Sequence, residues 1–230
     1  MPPGAAFRCS AALERSLRSR GFRFVAGADE AGRGALFGPV YAAAVILDPR
    51  RPIPGLCDSK LLTPDQRQAL ALQIRRRALA WAVASVDAFV IDQINILQAS
   101  RLALRRALQQ LHPQPSYLLL DALTVDLPLP QLPLIHGDAR CSSIAAASIL
   151  AKVHRDAEMC EWDRVYPHYG LARHKGYPAP EHLDALAAFG PSPHHRFSYR
   201  PVRDSCPRSL RLLLALRLPL HFRWSPGEAA

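Results

Sequence analysis

The most constraining feature of the chain is an apolar run that stops on two acids and a pair of glycines. Residues Val25 to Val40 read VAGADEAGRGALFGPV. Phe22 to Ala28 reads as a buried strand that delivers Asp29 at its end, with Glu30 beside it. Pro39 to Leu47 (PVYAAAVIL) reads as a second buried strand, and the glycine-rich loop joins the two. Such a join sets the backbone more than it fills a core. It also places charge at the edge of a sheet.

The rest of the chain alternates in the same way. Thr63 and Pro64 start a helix over DQRQALALQIRRRAL, with threonine as N-cap and proline in the first turn. Trp81 to Val90 reads as a third strand and Ile91 to Leu111 as a long amphipathic helix. Ser116 to Leu120 is a short buried strand ending at Asp121, and a brief strand is expected near Leu134 and Ile135. Ser142 to about Tyr166 is the longest helical segment. Pro180 to Phe189 is a small helix closed by Gly190 and Pro191. Strands alternating with helices argue for an α/β fold. The expected organisation is an N-terminal helix or arm over 1–21, a catalytic domain over 22–170, a helical region over 171–203 that contacts substrate, and an extension over 204–230.

Charge narrows the function. The 230 residues carry a net charge of +10, which favours a polyanionic partner. No apolar run reaches the roughly 20 residues that span a bilayer. The five cysteines are scattered and odd in number, with no Cys-x-x-Cys pair. A reduced, cytoplasmic setting is expected, with neither a disulfide framework nor a zinc site. Lysine occurs only at Lys60, Lys152 and Lys175, so 26 of the 29 basic residues are arginine. Codon bias accounts for most of this, yet all three lysines fall in segments that look functional.

Asp29 and Asp121 each stand where a strand stops, and groups at strand ends meet over one edge of an α/β sheet. Asp138 lies just before the long helix. Asp29, Glu30, Asp121 and Asp138 could therefore converge, which is unfavourable unless cations neutralise them. Oxygen-only ligands favour Mg²⁺ or Mn²⁺. Two such ions about 4 Å apart suit in-line displacement at phosphorus. Taken singly, each acid is more readily a turn former or a helix cap. On the long helix Ser148, Lys152 and Asp156 form one polar stripe amid small residues. Asp156 is either a metal neighbour or a partner for Lys152.

Gly32-Arg33-Gly34 is not a dinucleotide fingerprint, because Phe37 stands where the third glycine belongs, and no Walker lysine follows. Two flanking glycines let backbone approach a ligand closely. A ribose 2′-hydroxyl both donates and accepts, so bare backbone can read it, and Arg33 could reach an adjacent phosphate. A plain glycine turn between strands is the alternative.

Together, GADEAGRG, Asp58-Ser59-Lys60, the Asp121 strand end, and GDARCSSIAAASILAKVHRD resemble the ribonuclease HII (type 2 ribonuclease H) family. HKGYP at His174 to Pro178 and HHRFSY at His194 to Tyr199 extend the likeness, which covers roughly 22–203. The resemblance implies an RNase H-like mixed β-sheet flanked by α-helices, with a small helical C-terminal region. It implies a metal-dependent endonuclease that cuts on the 5′ side of a ribonucleotide, in RNA/DNA hybrids or in DNA with embedded ribonucleotides. The products would be 3′-hydroxyl and 5′-phosphate ends. By motif, Asp29, Glu30, Asp121 and Asp138 match the metal-binding acids, and Gly32, Arg33 and Gly34 match the loop that reads the 2′-hydroxyl. Tyr177 matches a tyrosine that stacks at the RNA–DNA junction. Lys60, Lys152 and Arg196 are candidate phosphate holders. A monomer is expected, without a membrane role. A replication-clamp contact through the C-terminal tail is carried as a further expectation.

Two departures stand out: Ala122 where the family usually has glycine, and Leu61 where a second lysine is frequent. The type 3 relative typically has a different residue between the loop glycines and a sizeable N-terminal domain, which Arg33 and the short leader argue against. A non-catalytic binder is disfavoured, because acids near phosphate without metal only repel. A membrane-surface role for SLRLLLALRLPL is disfavoured by its shortness and its proline.

Overall fold

The computed structural model describes residues 9–207. The SLRLLLALRLPL segment and the tail lie outside the described residues. The described chain forms two compact units that interleave in sequence. One holds residues 9–31, Tyr41–Ser85 and Ser100–His154; the other holds Gly32–Val40, Val86–Ala99 and residues 155–207.

The first unit is built on a five-stranded mixed sheet. Its strands are β1 (Val25–Ala31), β2 (Val40–Ile46), β3 (Ala80–Val86), β4 (Tyr117–Asp121) and β5 (Gln131–Leu134), in the spatial order β3-β2-β1-β4-β5. β1 runs antiparallel to β2 and parallel to β4, and β4 is parallel to β5. The helices are α1 (Ala12–Ser19), α2 (Pro64–Arg77), α3 (Ala88–Gln109), α4 (Gly137–Arg140) and α5 (Ser142–Val165). The expected α/β fold with a mixed sheet is borne out.

Thr63 caps α2 as its sequence predicts. Its hydroxyl accepts from the Gln66 amide, and the Gln66 side chain accepts from the Thr63 amide, a reciprocal capping box. Leu70, Ala71 and Ile74 of α2 pack with Ala43 and Val45 of β2. Ala146, Ala147, Ile149 and Leu150 of α5 join the same buried cluster. The small residues of α5 are thus the price of close approach to the sheet. Gly27 shows how close. A Cβ there would lie 2.5 Å from Ser143 Oγ and nearer still to the Ser143 carbonyl carbon and the Ile144 nitrogen.

The expected third strand, Trp81 to Val90, is too long. The strand ends at Val86, and Asp87 accepts from the Val90 amide at 2.8 Å, so Asp87 caps α3 and the last apolar residues begin a helix. The apolar run WAVASVDAFV hid that cap. α3 also breaks at Asn95, whose φ is 66°.

In the second unit Leu36, Phe37, Met159, Tyr169, Leu171, Leu186 and Val202 make the buried cluster. Its remaining helices are α6 (Leu171–His174), α7 (Pro180–Phe189) and α8 (Arg200–Asp204). Asp92 accepts from the backbone amides of Phe197 and Ser198, both at 2.9 Å, and so ties this unit's helical start to its C-terminal stretch. No helix among the described residues is long and apolar enough to cross a membrane. All five cysteines are free thiols.

Candidate active site

The acids of the first unit are carried by adjacent strands. Ala28 is in register with Leu120, so the parallel pairing of β1 and β4 sets Asp29 beside Asp121. β1 continues through both acids to Ala31, so Asp29 and Glu30 sit inside the strand's last residues rather than just past it. Asp29 is buried, and its carboxyl is pushed well above the ordinary range. Burial is the main cause, and the neighbouring Glu30 and Asp121 carboxylates add to it. The Ser148 hydroxyl and the Glu30 amide, at 2.7 Å, pull the other way. Asp121 is raised as well, first by burial and then by Asp138, against the opposing hydrogen bond from the Gly137 amide at 2.7 Å.

Asp138, expected just before the long helix, lies in the one-turn helix α4 and is buried. Lys60 Nζ donates to its Oδ2 at 3.3 Å. Burial works against the Lys60 charge, but Asp138, Asp58 and Asp29 outweigh it and hold the ammonium above its usual value. Lys60, expected as a phosphate holder, thus sits beside Asp58 and Asp138. Lys152 is half-buried one turn beyond Ser148 on α5.

The four acids stand as a row of neighbours: Glu30 and Asp29, then Asp121, then Asp138. Among the described residues no three His, Cys, Asp or Glu side chains are gathered tightly enough to hold one ion. The donor set nonetheless suits a hard cation. It is all oxygen, and the raised Asp29 and Asp121 carry mutual repulsion that a divalent charge would relieve.

Sequence reading missed the hydroxyls that hold this row. Ser59, the middle residue of Asp58-Ser59-Lys60, is buried and lies 2.9 Å from the Ser148 hydroxyl. Ser148 in turn bonds Asp29. The polar stripe on α5 was the available signal, and its buried serine serves Asp29. Ala122, the departure after Asp121, adopts φ 53°. The backbone here is left-handed, with alanine bearing the strain.

In the second unit the glycine loop is clamped by two buried arginines. Gly32 has φ 92°, and a Cβ there would meet the Arg155 side chain, 2.5 Å from its Cδ. Arg196 Nε donates to the Gly38 carbonyl and its Nη1 to the Arg33 carbonyl, both at 2.9 Å. The expectation that Arg196 holds a phosphate does not fit this placement. Arg196 is wholly buried, burial lowers its pKa to about 10, and its N–H groups serve loop carbonyls. Arg155 was missed altogether because it reads as one more basic residue on a helix. Arg33 and Gly34 stay exposed. The Tyr177 ring stands beside Gly34, 3.8 Å from where a Cβ would be, with the Arg155 guanidinium 5.2 Å from its centroid. The structure therefore brings Tyr177 to the glycine loop.

The chain matches the family model described as Ribonuclease HII over residues 26–202. It is 60% identical over 203 residues to the ribonuclease HII of Solibacter usitatus (strain Ellin6076), covering 88% of this chain and 89% of that one. The crystal structure of ribonuclease H2 from Pyrococcus horikoshii OT3 aligns with a TM-score of 0.70 at 26% identity, over 79% of this chain and 96% of that one. The ribonuclease HII of Archaeoglobus fulgidus, solved in complex with PCNA, aligns with a TM-score of 0.61 at 25% identity, over 72% and 86% of the two chains. With acids on neighbouring strand ends and a glycine loop clamped from behind, the chain belongs to the ribonuclease HII family, the type 2 ribonuclease H endonucleases.

Proposed function

We propose that this enzyme hydrolyses the phosphodiester on the 5′ side of a ribonucleotide, in RNA/DNA hybrids and in DNA duplexes with embedded ribonucleotides. The ends left would be 3′-hydroxyl and 5′-phosphate. The observation that carries the reading is the row of mutually repelling carboxylates on β1, β4 and α4, with Asp29 and Asp121 raised by burial and by their neighbours. Gathering these carboxylates is unfavourable unless positive charge offsets it, and a divalent cation would do so. Asp29, Glu30, Asp121 and Asp138 would hold Mg²⁺ or Mn²⁺. When bound, two such ions would supply the charge that activates water and stabilises the leaving oxygen.

The other roles fall to the protein's own groups. Ser148 and the Glu30 amide aim Asp29, and Gly137 aims Asp121. The Gly32–Gly34 backbone reads the 2′-hydroxyl, and exposed Arg33 meets a phosphate. Tyr177 stacks on the sugar or base at the junction, a contact that tolerates any sequence. Lys60, which answers to Asp138, and Lys152 are the remaining candidate phosphate contacts. The partners are the two duplex types, met by a monomer. A clamp contact rests on the PCNA complex of the Archaeoglobus fulgidus relative, and the tail proposed to make it lies outside the described residues.

The test uses the purified full chain and a DNA duplex holding one ribonucleotide, with and without Mg²⁺ or Mn²⁺. One cut on the 5′ side of the ribonucleotide, dependent on the ion, is expected. A cut elsewhere, or one indifferent to divalent ions, would overturn the reading.

A further inference from the structure

Two histidines that the chemistry above does not use are fully buried behind Tyr177. His182 lies in α7 and His195 in the stretch that bridges to Phe37, and neither has any solvent exposure. Their hydrogen bonds dictate their protons. The Ser192 amide donates to His195 Nδ1 at 3.0 Å, so His195 must carry its proton on Nε2. That nitrogen lies 3.1 Å from His182 Nε2, which must therefore accept. His182 then carries its proton on Nδ1 and donates it to the Tyr177 carbonyl at 2.9 Å. The Ser192 hydroxyl also lies 3.0 Å from His195 Nδ1.

A third ring completes the support. His174 stacks on His182, with centroids 4.5 Å apart and planes 12° from parallel. Its Nδ1 accepts from the Gly176 amide at 3.2 Å, leaving Nε2 to donate to the Tyr169 carbonyl at 2.7 Å. These bonds surround a turn in which Lys175 and Gly176 both have positive φ, 52° and 75°. The Gly176 carbonyl accepts from Leu36 of the glycine loop at 2.7 Å. Two apolar rings would fill the same volume without any desolvation cost. What imidazoles add is a directed chain of donors ending on one carbonyl.

We propose that His182 and His195 form a neutral hydrogen-bond relay that positions Tyr177 against the glycine loop for its contact with the ribonucleotide. This rests on the reading of Tyr177 as a substrate contact. Both are positioning residues, since neither reaches the ring's outer face except through the backbone it holds. Asparagine and leucine have the same shape, and the asparagine amide nitrogen takes the place of His182 Nδ1. His182→Asn keeps the donor to Tyr177 and His182→Leu removes it.

The experiment measures kcat and KM of the full chain on a duplex with one ribonucleotide in Mg²⁺ or Mn²⁺, and melting temperature alongside. The variants are Tyr177→Ala, His182→Asn, His182→Leu, and His182→Leu combined with Tyr177→Ala. His182→Leu is expected to lose roughly 10- to 100-fold in kcat/KM, the scale of a misplaced contact. His182→Asn should recover most of it. In the Tyr177→Ala background His182→Leu should cost little more, because the group it aims is already gone. Equal activity of the asparagine and leucine variants, or a full additional loss in the Tyr177→Ala background, would overturn the relay while leaving the Tyr177 reading intact. If the leucine variant does not fold, His195→Phe takes its place: it removes the donor toward His182, and wild-type kcat/KM in that variant would overturn the relay. A silent Tyr177→Ala would overturn the Tyr177 reading, and the relay with it.

Discussion

Gly27→Ala tests the close packing of α5 on β1. Gly27 sits in the middle of β1, paired with Val45 of β2 and Leu119 of β4, so the strand cannot yield sideways. An added methyl would point at the first turn of α5, 2.5 Å from Ser143 Oγ and closer to two backbone atoms. Carbon contacts settle at about 3.5–4 Å, so the helix start must retreat by roughly 1 Å or more. Overpacking of this kind costs about 1–3 kcal/mol, and backbone obstacles place it at the top of that range. For a chain of this size 3 kcal/mol is roughly 6–12 °C in melting temperature. The retreat would also carry away the Ser143 amide, held at 2.8 Å by the buried Glu14 carboxylate. It would shift α4, whose Cys141 C-cap leads directly into α5, and with it Asp138. A misplacement near 1 Å costs on the order of 100-fold in rate. Thermal denaturation and initial rates on a ribonucleotide-containing duplex read both effects. Gly34→Ala is the control for stability, since its Cβ would meet only the Tyr177 ring at 3.8 Å. A Gly27→Ala protein with unchanged melting temperature and rate would refute the claim that α5 rests directly on β1.

Three other outcomes are expected. Asp29→Asn should abolish turnover and leave duplex binding largely intact, as read by cleavage and by gel shift; equal loss of both would count against the metal role. Ala122→Gly should stabilise the protein by about 0.5 kcal/mol, since relief of about 1 kcal/mol of left-handed strain exceeds the added chain entropy. A fall in the denaturation midpoint would contradict it. His182 and His195 have pKa values lowered to about 4 and about 3, chiefly by burial, with His174 and His194 adding repulsion. Their neutral forms belong to the folded state, so below about pH 6.5 the unfolded chain binds protons that the folded one refuses. Each should then remove up to about 1.4 kcal/mol of stability per pH unit as pH falls towards 4. The raised Asp29, Asp92 and Asp121 act in the opposite sense. Urea midpoints from pH 7 to 5 that fall less steeply in His195→Phe than in the unaltered chain would confirm the histidine share; identical slopes would refute it.

Much of the site was legible because local chemistry wrote it. The β1 acids, the Gly-Arg-Gly loop, the Thr63 cap and helix α7 each follow from residues within a few positions of one another. Asp87 misled because a cap inside an apolar run leaves no break in hydrophobicity.

What the sequence by itself determined is which groups exist and where along strands and helices they stand: four acids at strand and helix ends, a loop free of side chains, a tyrosine after a turn. Only the tertiary structure decided their company. The register of β1 with β4 puts Asp29 by Asp121, and Ser59 is linked to Asp29 through Ser148 from 89 residues away. Arg196 faces inward to the loop 163 residues earlier rather than outward to phosphate. Hydrogen bonds and Coulomb forces act over a few ångströms of space, and separation along the chain does not reveal which distant groups folding will bring within that range.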